Sequence, residues 1–178
     1  MSKPGAAAAE DVDAATALER LYDAHYVRLV RLAVLLLRDH ATAEDVVQEA
    51  FVAMYRRWDS LEDPDRAVAY LRASVVNGSR STMRHLRVVD RHRPEEPPDA
   101  PGADQAALAV ARRRTVLDAL GRLPRRQREV LALRYYLDLS ESEIADALGI
   151  SNGAVKTHAS RGAVALRATL SRLLEEDS

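Results

Sequence analysis

Lys156, Thr157, Ser160 and Arg161 fall on one side of an amphipathic segment, and Val155, Ala159, Gly162 and Leu166 fall on the other. At helical spacing this gives one face that packs and one that shows small polar and cationic side chains. The combination suits the major groove of duplex DNA, where lysine and arginine meet guanine edges and phosphates. The residues upstream must position that face. Ser140 and Glu143 have the spacing of a capping box, and Ile144, Ala147 and Leu148 form an apolar stripe behind it. Gly149 supplies the left-handed residue that ends a helix, Ile150 plugs the turn, and Ser151 can cap the next helix. Residues 139–170 thus read as a helix-turn-helix. Helix pairs joined by a glycine turn also build ordinary bundles, so this window alone leaves a merely solvated face open.

Two further patches carry candidate binding chemistry. Asp45, Gln48 and Glu49 are spaced i, i+3, i+4 and share a helix face opposite Val47 and Phe51. A compact acid-and-amide patch suits docking on a basic partner helix, although periodicity alone is equally met by a solvated face. Asn77, Arg80 and Arg84 stand on one side of a segment from residue 66 to 86 that holds no acid. Asn and Arg are the types that read base edges and clamp phosphate. The plainer alternative is a basic helix end that complements the macrodipole.

Composition excludes much else. With no cysteine there is no disulfide, thiolate zinc site or cysteine nucleophile. The five histidines are scattered, and none forms a paired metal spacing. No Gly-rich phosphate loop and no GxSxG elbow is present, and Asn77-Gly78-Ser79 lies mid-helix, where a strained nucleophile elbow does not form. The sequence predicts no enzyme, no cofactor and no metal. The N-terminus lacks the apolar core of a signal peptide, and the longest apolar run, residues 32–37, is too short to span a bilayer. A cytoplasmic protein without a membrane partner is expected.

The chain has 178 residues, 47% of them hydrophobic, and a net charge of −1. Alanine, leucine and arginine dominate, which favours an all-α fold. Residues 1–15 read as a flexible tail. Thr16 with Glu19 offers a capping box for a helix over residues 17–37, with Leu18, Leu21, Tyr22, Tyr26, Leu29, Val30 and Ala33 inward. After a break at 38–41, Thr42 with Asp45 can cap a second helix whose inward face is Val47, Phe51, Met54 and Trp58. A turn at 62–65 leads to the third helix. Residues 94–104 then hold four prolines and a charge of −4, a composition that predicts an extended linker over 89–107. A second helical domain over 108–175 has a helix ending near Leu120, a break at Gly121, and Pro124 in the first turn of a helix carrying Val130, Leu131 and Leu133. The first domain is 16–88. From Gln105 onward there are 12 Lys+Arg against 9 Asp+Glu, so that part carries +3.

In this order and spacing, the chain resembles the extracytoplasmic-function sigma factors of bacterial RNA polymerase, particularly the actinobacterial type. The resemblance runs over residues 17–174. It rests on Ala43-Glu44-Asp45-Val46-Val47-Gln48-Glu49-Ala50-Phe51, and on the run Leu123-Pro124-Arg125-Arg126-Gln127-Arg128-Glu129-Val130-Leu131-Ala132-Leu133-Arg134-Tyr135-Tyr136 followed by residues 140–167.

The resemblance implies that the first domain docks on the clamp helices of the largest polymerase subunit through Asp45, Gln48 and Glu49. It implies that Asn77, Arg80 and Arg84 meet the −10 element, with Asn77 the best base contact. Ser151, Asn152, Gly153, Lys156, Thr157, Ser160 and Arg161 would meet the −35 duplex, and the second domain would also bind the polymerase flap. The linker would thread near the RNA exit path. Many relatives are held by an anti-sigma factor, so such a partner is a further expectation. The alternative is a freestanding helix-turn-helix regulator, which needs an apolar dimer seam that the sequence does not offer. Two features depart from the pattern. Gly78 stands where a larger apolar residue is usual and predicts a soft or bent point. The recognition face has only Lys156 and Arg161 as its main cations, which predicts weak DNA binding without polymerase.

Overall fold

The computed structural model describes residues 5–58, 66–89 and 104–176, with side chains at 15–58, 66–86 and 109–175. The turn read at 62–65 and most of the linker, 90–103, lie outside the described residues. What is described is helical: α1 (Gly5–Leu37), α2 (His40–Arg56), α3 (Ala67–Val89), α4 (Asp104–Arg122), α5 (Arg125–Leu131), a π-helical turn (Ala132–Tyr136), α6 (Glu141–Leu148) and α7 (Asn152–Glu176). Contacts divide the chain into two compact units, Met1–Ser79 and Arg80–Ser178.

In the first unit, α1 packs along α2. Leu29, Val30, Leu32, Ala33, Val34 and Leu36 of α1 are all buried, as are Val46, Val47, Ala50, Phe51 and Met54 of α2. The end of α1 is therefore enclosed on most of its sides, and the expected stripe of Leu29, Val30 and Ala33 is only part of what it buries. Tyr22 stacks on Tyr26 with ring centroids 4.4 Å apart and meets Phe51 edge-on at 5.1 Å. Trp58 is half-buried. Burial pushes the His25 imidazole below its ordinary pKa, and Arg72 and Arg28 act in the same direction.

The sequence reading needs correction at two places here. Helix α1 begins at Gly5, so residues 5–15, read as a flexible tail, are helical. The run of alanines from Ala6 to Ala9 has the highest helix propensity of any residue type. Helix α1 ends where Arg38 takes φ 67°, its N–H donating to Val34 O at 2.8 Å. Helix α2 is capped by Asp39, not Thr42. Asp39 sits in extended backbone and its carboxylate accepts from the N–H of Thr42 at 2.7 Å. Gly78 lies inside α3. A Cβ there would lie 2.9 Å from Val46 Cγ1, so glycine lets α3 approach α2 closely. Val46 is β-branched and cannot easily swing aside.

In the second unit, α4, α5 and α6 all pack on α7. Gly121, expected as a break, lies inside α4, which runs to Arg122. The stop is made by a side chain. Buried Arg128 donates through Nη2 to Gly121 O at 3.0 Å and Leu123 O at 3.3 Å, satisfying carbonyls at the helix end. Pro124 caps α5 without a side-chain bond. Gly162 of α7 brings that helix against α5, where an added Cβ would lie 3.2 Å from Leu131 and Gln127.

The helix-turn-helix forms as its sequence predicts. Ser140 and Glu143 complete a reciprocal capping box on α6. Gly149 takes φ 63° and ψ 44°, and Ile150 N bonds Ala145 O at 3.1 Å while Gly149 N bonds Asp146 O at 3.4 Å. That pair of bonds is a Schellman stop. Ser151 Oγ then accepts from Ala154 N at 3.2 Å and starts α7.

Candidate nucleic-acid and polymerase interfaces

The α2 face is built from behind. Val46, Val47, Ala50, Phe51 and Met54 bury one side of the helix, and Asp45, Gln48 and Glu49 are exposed on the other. Because Asp39 supplies the cap, Asp45 has no capping duty. With Val52, Ala53 and Arg56, the triplet lines a shallow concavity of ≈ 650 Å³. Val52 and Tyr55 are exposed large side chains on the same helix. The face therefore offers carboxylates, an amide and apolar area together, on a helix of 17 residues. Such a face has the chemistry to meet a protein helix carrying cations.

On α3, Asn77 and Arg84 are exposed and Arg80 is half-buried. The structure commits Arg80 elsewhere. At the start of the second unit, Arg80 Nε and Nη2 each donate at 2.8 Å to the two oxygens of the Glu129 carboxylate. Glu129 is only 3% exposed and also receives Arg126 Nη1 at 3.1 Å. A bidentate pair at this distance is among the stronger polar contacts available. Of the three α3 residues singled out by sequence, two remain at the surface and the third is engaged. The burial of Arg128 and Glu129 had no sequence signal, because Arg and Glu are seldom buried.

On α7, Ser151, Asn152, Gly153, Lys156, Thr157, Ser160 and Arg161 are all exposed, while Val155, Ala159 and Gly162 are buried. Both predicted faces of this helix are present. Two details go beyond the prediction. The Thr157 hydroxyl donates to Gly153 O at 2.9 Å, so its proton serves its own helix and its oxygen is what it offers outward. Lys156 Nζ lies 3.6 Å from Glu141 Oε2. Glu141 is fifteen positions away in sequence, and only the helix-turn-helix fold brings the two together.

A two-part helical chain with a capped helix-turn-helix and an acidic helix face is the layout of a promoter-directing transcription initiation factor, and comparisons with known proteins agree. The chain matches Sigma-70 region 2 over residues 21–89 and Sigma-70, region 4 over residues 113–166. It is 36% identical over 142 residues to the RNA polymerase sigma-E factor of Streptomyces coelicolor, covering 80% of this chain and 79% of that one. It is 35% identical over 173 residues to the ECF RNA polymerase sigma factor SigL of Mycobacterium tuberculosis, covering 95% of each. Among solved structures, CnrH in complex with the cytosolic domain of CnrY aligns with a TM-score of 0.65 and 31% identity, covering 94% of this chain and 98% of that one. RpoE of Bartonella quintana, solved with the anti-sigma factor NepR, shares the fold at a TM-score of 0.69 and 24% identity, over 86% of this chain and 96% of that one.

The chain belongs to the sigma-70 family, within its extracytoplasmic-function group. Its function is that of an RNA polymerase sigma factor, with core polymerase and promoter DNA as partners. A freestanding helix-turn-helix regulator is set aside by the region 2 match, which spans α2 and α3. Among the described residues, no helix is long and apolar enough to cross a membrane.

Proposed function

We propose that this sigma factor divides its work among three faces, and that its chemistry is binding rather than catalysis. Asp45, Gln48 and Glu49 dock on the clamp helices of the largest polymerase subunit. Asn77 and Arg84 meet the −10 element as it melts, capturing unstacked bases and so offsetting the unstacking cost. Arg80 joins them only if it leaves Glu129. Ser151, Asn152, Gly153, Lys156, Thr157, Ser160 and Arg161 meet the −35 duplex, where Lys156 is the side chain with the reach and charge for a guanine edge. Residues 16–88 and 108–175 act as the promoter-binding domains, the second also meeting the polymerase flap. The linker read at 89–107 narrows to the residues between α3 and α4 and runs near the RNA exit path. The setting is the cytoplasm, where polymerase and promoter lie. A protein inhibitor of the anti-sigma kind is a further partner, by analogy with RpoE of Bartonella quintana, solved with the anti-sigma factor NepR.

The observation that carries this reading is the exposed acid-and-amide triplet on a helix whose other side is buried. Charge attraction of this kind chiefly sets the encounter rate and the choice of partner. Titration of core polymerase with the Asp45→Arg, Glu49→Arg double variant tests it. Core binding should weaken at least tenfold, roughly 1.4 kcal/mol, with helicity unchanged by circular dichroism. Parent affinity in the double variant overturns the assignment of this face.

A further inference from the structure

Three elements of the second unit meet at one carboxylate. Glu141, the first residue of α6, faces Lys156 of α7 through Oε2 at 3.6 Å. Its Oε1 accepts from Arg134 Nη1 of the π-helical turn at 3.4 Å. The two first-turn acids of α6 therefore do different things. Glu143 is committed to the cap, its Oε2 accepting from Ser140 N at 2.9 Å and from Ser140 Oγ at 2.8 Å. Glu141 takes no part in that box. It directs its two oxygens to two cations, one of which belongs to the recognition face. The Lys156 side chain is 68% exposed and that of Glu141 32%, so solvent screens the pair and the lysine can leave it.

We propose that Glu141 is a specificity-determining residue. It neutralises Lys156 and Arg134 towards the phosphates of arbitrary DNA, and it gives up Lys156 only when that lysine makes a directed bond on promoter duplex. Non-specific binding is driven by cations that displace counterions from phosphate. A lysine already facing a carboxylate has less to win from an undirected phosphate, and the carboxylate itself repels that phosphate. A directed bond to a base edge compensates for losing the pair. Specificity is a difference of two affinities, and Glu141 lowers the unwanted one. The inference rests on the reading of α7 as the −35-binding helix.

The test uses holoenzyme made from the full chain and core polymerase. A labelled promoter duplex is competed by promoterless duplex of equal length across a salt series. In Glu141→Gln, affinity for promoterless duplex should rise roughly threefold to tenfold and the promoter preference should fall. The slope of log affinity against log salt should steepen by roughly 0.9 for each additional phosphate neutralised. Glu141→Asp, which keeps the carboxylate, should restore the parent preference. A helix-start acid of purely structural value would shift melting temperature and leave the salt slope alone. The inference is overturned if Glu141→Gln keeps the parent slope and preference while Lys156→Ala still weakens promoter binding. If Lys156→Ala also changes nothing, the α7 reading fails with it.

Discussion

On α2 the residues proposed to face polymerase stand midway along a helix, backed by Val46, Val47, Phe51 and Met54. On α7 the residues proposed to face DNA begin at the first turn, and their direction is set by Ser140, Gly149 and Ser151. Both faces are backed by apolar packing, Val155, Ala159 and Gly162 being buried beneath the second, and hydrogen bonds at the ends of α6 and α7 further fix the direction of that second face. The buried interiors differ in the same sense. Among the described residues, Ser79 is the buried polar residue of the first unit, while Arg128, Glu129 and Thr169 are buried in the second. A long helix packed over several turns presents a broad, rigid surface suited to a protein helix. The capped start of α7 aims a few side chains at a defined angle, which groove reading needs. The first unit should therefore be most sensitive to changes in shape, and the second to loss of polar partners.

The largest effect is expected where that contrast is sharpest. Glu129→Ala removes the acceptor of Arg80 and Arg126 inside the second unit. Breaking a buried pair leaves uncompensated charge and should cost about 3 kcal/mol in chemical denaturation. A loss under ~1 kcal/mol, the value of a surface pair, would mean that these arginines re-solvate freely.

Shape is tested by the two close-packed glycines. Alanine at Gly78 adds about 1 kcal/mol of helix propensity, but its Cβ meets Val46 Cγ1 at 2.9 Å. Overpacking costs about 1–3 kcal/mol, so Gly78→Ala should destabilise by about 1 kcal/mol net. Adding Val46→Ala should restore part of that, a coupling readable in a double-mutant cycle. Alanine at Gly162 meets Gln127 and Leu131 at 3.2 Å, and the γ-branched Leu131 side chain can shift more easily than Val46. Gly162→Ala should therefore change stability by less than ~0.5 kcal/mol. Equal costs at the two glycines would erase the contrast between the units.

The second unit's helix-turn-helix is the most legible part of the sequence. Its signals are local: the capping box at Ser140 and Glu143, the stop at Gly149, the cap at Ser151, and a stripe at helical spacing. The helix start at Asp39 is harder to read, because Thr42 and Asp45 have equally good capping spacing and only backbone conformation decides between them. Gly78 misleads because a glycine's reason can lie on another helix, here at Val46. The engagement of Arg80 with Glu129 and of Lys156 with Glu141 joins residues 49 and 15 positions apart, which no periodicity encodes. The exposed faces themselves are readable, since exposure follows from what the opposite side buries.

The central claim is that residues 16–88 and residues 108–175 read different parts of a promoter. Promoter opening by holoenzyme, followed by permanganate reactivity of unpaired thymines alongside a mobility-shift titration, tests it most directly. Lys156→Ala should weaken binding, by about 1–3 kcal/mol with relaxed preference at one −35 position where the contact is to a base edge. Asn77→Ala should leave binding near the parent value and reduce permanganate reactivity at the −10 element. Parent levels of opening in both variants would contradict the division of labour.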